Sequence, residues 1–148
     1  MYLLDTNHCS QIIAGDRQVI QEILSRRNEG VAISVIVQGE LRFMAEHSAQ
    51  RTENLNQIQG FLERFDLYPI SADISNTYAS LKASLLRTFG PKDQAQRRKT
   101  RIQTIGFDDN DLWIAATAIQ HQLILVSADS DFDRMQQVST LRVESWIM

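Results

Sequence analysis

Short apolar runs separated by helically patterned stretches constrain this chain more than any other feature. The most restrictive is Leu123-Ile124-Leu125-Val126, four apolar residues in a row. A run of that kind reads as a central strand buried on both faces, which requires helices above and below it. Tyr2-Leu3-Leu4, Val31–Val35 and Leu67-Tyr68-Pro69-Ile70 read as further strands, and Leu141–Glu144 alternates like an edge strand. Strands that alternate with helices build βαβ units, so the expected class is α/β with a mainly parallel central sheet.

The intervening segments supply the helices. Val19, Ile20, Ile23 and Leu24 share one face of a helix that begins at Asp16, runs to Arg27 and is stopped by Gly30. Val37, Leu41, Met44 and Ala45 mark a second, over Ile36–His47, and Leu55, Ile58, Phe61, Leu62 and Phe65 a third, over Arg51–Phe65. Ser71 or Asp73 caps a fourth, carried by Tyr78, Leu81, Leu85 and Leu86 and broken at Gly90-Pro91. Asn110 is expected to cap a fifth, Asp111–Gln120. Asp5-Thr6-Asn7 reads as a turn, with Thr6 and Asn7 able to cap a helix start. The polar stretch 92–101 reads as an exposed, mobile loop and holds five of the fifteen basic residues.

No repeat or linker divides the sequence, and residues 1–148 are expected to form a single domain. Cys9 is the only cysteine, which excludes an intrachain disulfide and a Cys-rich zinc site. No apolar stretch approaches the ~20 residues that span a bilayer, and the N-terminus lacks the pattern of a secretory signal. A cytoplasmic protein without membrane attachment is therefore expected. The formal net charge of −3 argues against a surface built as a whole for nucleic acid, and leaves room for a site that gathers carboxylates.

In open α/β sheets, ligands bind beyond the carboxyl ends of the strands. Asp5 directly follows the first strand, and Asp129 follows the Leu123 strand after Ser127 and Ala128. Glu40 stands about one turn into the helix after Val31–Val35, and Asp111 opens the helix that leads into the Leu123 strand. These motifs contain no Lys, Arg or His to neutralise the four acids. Like charges crowded at reduced dielectric are costly, and a divalent cation relieves that cost. An all-oxygen ligand set suits Mg²⁺ or Mn²⁺, ions that readily share their coordination with phosphate oxygens. His8, His47 and His121 lack metal-ligand spacing to one another.

Leu-Asp5-Thr6-Asn7, Gly-Glu40-Leu, Asn110-Asp111-Leu-Trp-Ile-Ala-Ala and Leu-Val-Ser127-Ala-Asp129-Ser-Asp-Phe132 together resemble a PIN domain. Within that family the chain is most similar to the VapC-type ribonuclease toxins of bacterial toxin–antitoxin pairs. The resemblance covers nearly the whole chain in motif order and length. It implies a three-layer α/β/α fold in which Asp5, Glu40, Asp111 and Asp129 hold Mg²⁺ or Mn²⁺ and catalyse RNA hydrolysis, with Thr6, Asn7 and Ser127 in support. It further implies a homodimer and a cognate antitoxin whose C-terminal segment lies across the groove. One stretch departs from the family pattern: the basic segment between the Tyr78–Arg87 helix and Asp111 is longer than in compact toxins.

Each assignment has a plainer rival. A lone Asp is most often a surface residue or helix cap. Asp108 and Asp109 fit a loop before Asn110, Glu46 is the bland counterpart of Glu40, and Asp129 is nearer its strand than Asp131 or Asp133. Trp113 reads as core or interface, Trp146 as packing the last strand, and Cys9 as a small buried hydrophobe. Arg97, Arg98, Lys99 and Arg101 are either a solvated segment or contacts to flanking phosphates. Among whole-protein alternatives, a silent binding module has no need of all four acids. An aspartyl phosphatase wants a second Asp where Asn7 stands. A structure-selective DNA nuclease keeps the same chemistry on another substrate.

Overall fold

The computed structural model describes residues 1–147. Its elements are β1 (Tyr2–Leu4), α1 (Thr6–Ile13), α2 (Arg17–Ser25), β2 (Val31–Ser34), α3 (Val35–Glu46), α4 (Arg51–Leu62), β3 (Asp66–Tyr68), α5 (Ala72–Phe89), α6 (Gln94–Lys99), α7 (Asp109–Gln120), β4 (Ile124–Val126), α8 (Ser130–Gln136) and β5 (Arg142–Glu144). Single 3-10 turns at Arg27–Glu29 and Ile102–Ile105 complete the path. The five strands form one sheet in the order β3-β2-β1-β4-β5, and every pairing is parallel. Helices flank this sheet, with α3 packed on α4 and α5 on α7, as the α/β/α reading expects. No helix among the described residues is long and apolar enough to cross a membrane.

The strands are only three or four residues long, too short for the sheet to stand alone. Burial against the helices must hold it. Leu3, Leu4, Ile33, Leu125 and Val126 are fully enclosed, each worth roughly 1.5–3 kcal/mol. Ala115, Ala116 and Ala118 let α7 approach closely, and Cys9 is buried as a small hydrophobe.

Several local expectations are corrected. Asp5-Thr6-Asn7 is no mere turn: Asp5 is the N-cap of α1, accepting the His8 N–H. Val35 belongs to α3, which Ser34 caps through Val37 N–H, so β2 is a residue shorter than its apolar run. Asp108, not Asn110, caps α7, because Asp108 Oδ1 accepts the Asn110 N–H at 2.7 Å. The stretch read as a loose loop contains α6, capped by Asp93, with Arg97, Arg98 and Lys99 in its last turn. There the basic side chains face the negative end of the helix dipole. Helix α8, capped by Asp129, is an element that the apolar pattern of the sequence does not announce.

Candidate active site

The strand order places a topological switch between β1 and β4, which are neighbours in the sheet although far apart in the chain. Chains leave these two strands in opposite directions, opening a crevice at their carboxyl ends. Asp5 and Asp129 follow those ends. Both cap helices, so each carboxylate is held by backbone N–H groups at the positive end of a dipole.

The cleft at this point has a volume of about 310 Å³. Asp5, Glu40, Asp111 and Asp129 all line it, as do Thr6 and Asn7, with Met44 and Phe132 as apolar walls. The Thr6 hydroxyl donates to Glu40 Oε1 at 2.8 Å, tying the start of α1 to α3. Ser127 Oγ accepts the Asp129 N–H at 3.0 Å, and Asp129 Oδ1 accepts the Asp131 N–H at 2.9 Å. Thr6 and Ser127 thus act on neighbouring groups of the cleft.

Its electrostatics follow from burial and crowding. Burial, reinforced by Asp108, Asp129, Glu40 and Asp131, pushes the Asp111 carboxyl up to about 7. Burial also raises Glu40; Asp108 and Asp5 add to that effect, while the Thr6 hydroxyl opposes it. The nearby cations are engaged. Arg134 pairs with Asp131 at 2.8 Å and donates to the Ile105 and Gly106 carbonyls, while Lys82 pairs with Asp109 at 3.0 Å.

Asp111, Asp129 and Asp131 each offer an oxygen within 4.8 Å of the others, close enough to share one cation. Neither His nor Cys lines the cleft among the described residues. This hard oxygen set fits Mg²⁺ or Mn²⁺ rather than zinc.

Three participants escaped the sequence reading. Asp108 lines the cleft; its signal was the Asp-Asp-Asn-Asp run itself, since the first acid of such a run is a natural N-cap. Asp131, two residues after Asp129, joins Asp111 and Asp129. His8 stands fully buried behind Asp5, legible only once a helix is known to start there. The basic residues are not drawn in: Arg97, Arg98, Lys99 and Arg101 do not line the cleft. Arg97 donates to the Pro91 and Lys92 carbonyls.

Beside the acids, sharing Glu40, lies a second cleft of about 500 Å³ walled by Val35, Ile36, Gly39, Phe43 and Met44. Phe43 and Met44 are exposed large hydrophobics, at 66% and 50%.

Comparison with known proteins agrees with this geometry. The PIN domain family matches residues 2–138. Ribonuclease VapC2 of Haemophilus influenzae (strain ATCC 51907 / DSM 11121 / KW20 / Rd) is 30% identical, over 99% of this chain and 98% of its own length. The tRNA(fMet)-specific endonuclease VapC of Shigella flexneri is 28% identical, over 98% and 97%. Among solved structures, VapBC2 from Rickettsia felis bound to a DNA fragment from its promoter superposes with a TM-score of 0.81 at 24% identity, covering 99% of this chain and 98% of that one. An acidic cleft at the switch point of a parallel sheet and a family match across nearly all of the sequence lead to one assignment: the chain belongs to the PIN-domain family, among the VapC proteins.

Proposed function

We propose that this protein is a Mg²⁺- or Mn²⁺-dependent endoribonuclease and the toxin of a toxin–antitoxin pair. The observation that carries the reading is the crowd of carboxylates around one cleft, with Asp111 pushed up to about 7 by burial and by its acidic neighbours. Such an arrangement is unfavourable by itself and becomes favourable around a cation. The ribonuclease and endonuclease names of the VapC relatives support RNA as the substrate. Asp111, Asp129 and Asp131 would hold the ion, with Asp5 and Glu40 completing its surroundings. A hard divalent cation supplies Lewis acidity toward a phosphodiester and makes water a stronger acid.

The chain's own groups prepare that chemistry. The Thr6 hydroxyl fixes Glu40, the α1 and α8 N-termini fix Asp5 and Asp129, and Ser127 fixes the backbone that presents Asp129. Met44 and Phe132 form the apolar side of the cleft. Hydrolysis here leaves a 5′-phosphate and a 3′-hydroxyl. Arg98, Lys99 and Arg101 are offered as contacts to flanking phosphates, with Arg97 fixing the segment that carries them.

The exposed Phe43–Met44 cleft beside Glu40 is the proposed seat of an antitoxin segment, and the VapBC complexes among the structural neighbours support such a partner. A homodimer is part of the same reading. The deciding experiment incubates the protein with RNA and DNA of matched sequence, with Mg²⁺, Mn²⁺ or chelator, beside Asp111→Asn. Metal-dependent cutting of RNA alone, lost in Asp111→Asn, is expected. Equal cutting of DNA or activity in chelator overturns the reading.

A further inference from the structure

His8 is fully buried on the first turn of α1 and has no part in the chemistry described above. Both of its ring nitrogens are nevertheless used. Nδ1 lies 2.9 Å from Asp5 Oδ1, the same oxygen that accepts the His8 backbone N–H at 2.8 Å. Nε2 lies 3.2 Å from the backbone nitrogen of Trp146, whose N–H points at it. A backbone N–H can only donate, so Nε2 must present its lone pair. The ring proton therefore sits on Nδ1 and is donated to Asp5.

This leaves Asp5 with one oxygen bound twice and the other unbound. Asp5 Oδ2 makes no hydrogen bond within the described residues, yet none of their fully buried side-chain nitrogens or oxygens lacks a partner. Oδ2 thus remains open to the cleft that Asp5 lines. Trp146 is in turn held in place: its indole N–H donates to Glu144 Oε1 at 2.7 Å, its ring meets Tyr2 edge-on at 5.3 Å, and Arg26 lies over it at 5.1 Å.

We propose that His8 is a positioning residue for Asp5: locked by the Trp146 N–H as the neutral Nδ1-protonated ring, it clamps Oδ1 and aims Oδ2 at the cation. The proposal rests on the reading of the cleft as a metal site. It also ties that site to the segment following β5, because Trp146 selects the tautomer that Asp5 requires. Orienting partners behind metal ligands typically matter 10–100-fold in metal affinity.

Two substitutions divide the role. In His8→Asn the amide nitrogen can take the place of Nδ1 and donate to Asp5, but nothing reaches Trp146. In His8→Gln the amide oxygen can take the place of Nε2 and accept from Trp146, but no side-chain donor faces Asp5, which keeps only the backbone N–H of residue 8. Both remove the ring from the core, and the shorter Asn loses more packing than Gln, so a weaker His8→Gln cannot be laid to packing. Titrating Mn²⁺ into the full-length proteins by calorimetry should show His8→Gln weakened about tenfold or more, with His8→Asn markedly closer to wild type. Nitrogen NMR of the metal-free wild type should show His8 neutral and protonated on Nδ1, a readout that does not depend on either variant folding. Equal Mn²⁺ affinity in wild type and His8→Gln, or an Nε2-protonated ring in wild type, overturns the proposal. A wild type that binds Mn²⁺ no better than Asp111→Asn overturns the metal reading itself, and the proposal falls with it.

Discussion

Asp111 is a carboxyl group held where its charge is unwelcome, and its behaviour toward pH follows. In the unfolded chain it ionises near its ordinary value of 3.8, and in the folded protein near 7. Between those values the folded state keeps a proton that the unfolded state has lost. Stability of the metal-free protein therefore falls as pH rises through that window and levels off above it. Thermal melts in chelator from pH 4 to 8 should show this decline, and Asp111→Asn should flatten it. Calorimetry should also find Mn²⁺ affinity climbing with pH up to about 7, because the ion must displace that proton. Asp5, Glu40, Asp111 and Asp129 could be picked from sequence because each stands a fixed short distance from a strand or helix end. Asp131 and His8 could not. Their roles depend on which way the first turn of a helix points, and α1 and α8 carry no long apolar stripe to announce them.

Helix termini set the geometry of the cleft, since Asp5, Asp108 and Asp129 are N-caps as well as lining residues. Capping and chemistry can be separated at Asp129. Serine keeps a capping oxygen while removing the charge, so Asp129→Ser should melt within about 0.5 kcal/mol of wild type, whereas Asp129→Ala should lose about 1 kcal/mol. Both should lose RNA cleavage; a fully active Asp129→Ser would place the chemistry elsewhere. Helix α6 was hidden because five polar residues and one Ala have no apolar period to read, and only the Asp93 cap and the last-turn basic residues betray it. Its surface offers a test of the phosphate contacts. Replacing Arg98, Lys99 and Arg101 by Gln should weaken RNA binding and reduce the log–log salt slope by about 0.7 per lost contact. An unchanged slope, measured with catalytically dead protein, assigns Arg98 and Lys99 to the helix dipole alone and gives Arg101 no part in RNA binding.

At the scale of the molecule, the sheet was legible because its central strands β1, β2 and β4 are short, mostly buried apolar runs, and the order of elements followed from their alternation. The strand order β3-β2-β1-β4-β5 was not, since apolar runs do not say which neighbour each will choose. A cation bound only by the folded chain should stabilise all of it. Mn²⁺ at a hundredfold excess over its Kd should add about 2.7 kcal/mol, seen as a rise in Tm that Asp111→Asn with Asp129→Asn abolishes. The pairing of β1 with β4 has a consequence for synthesis. A ribosome delivers Asp5 long before Asp129, and β1 cannot meet β4 before residue 126 has emerged. Until then the acids are scattered along an unfinished chain. A growing polypeptide that has not yet presented residue 129 therefore lacks the assembled cleft, and so does a product cut short before that residue.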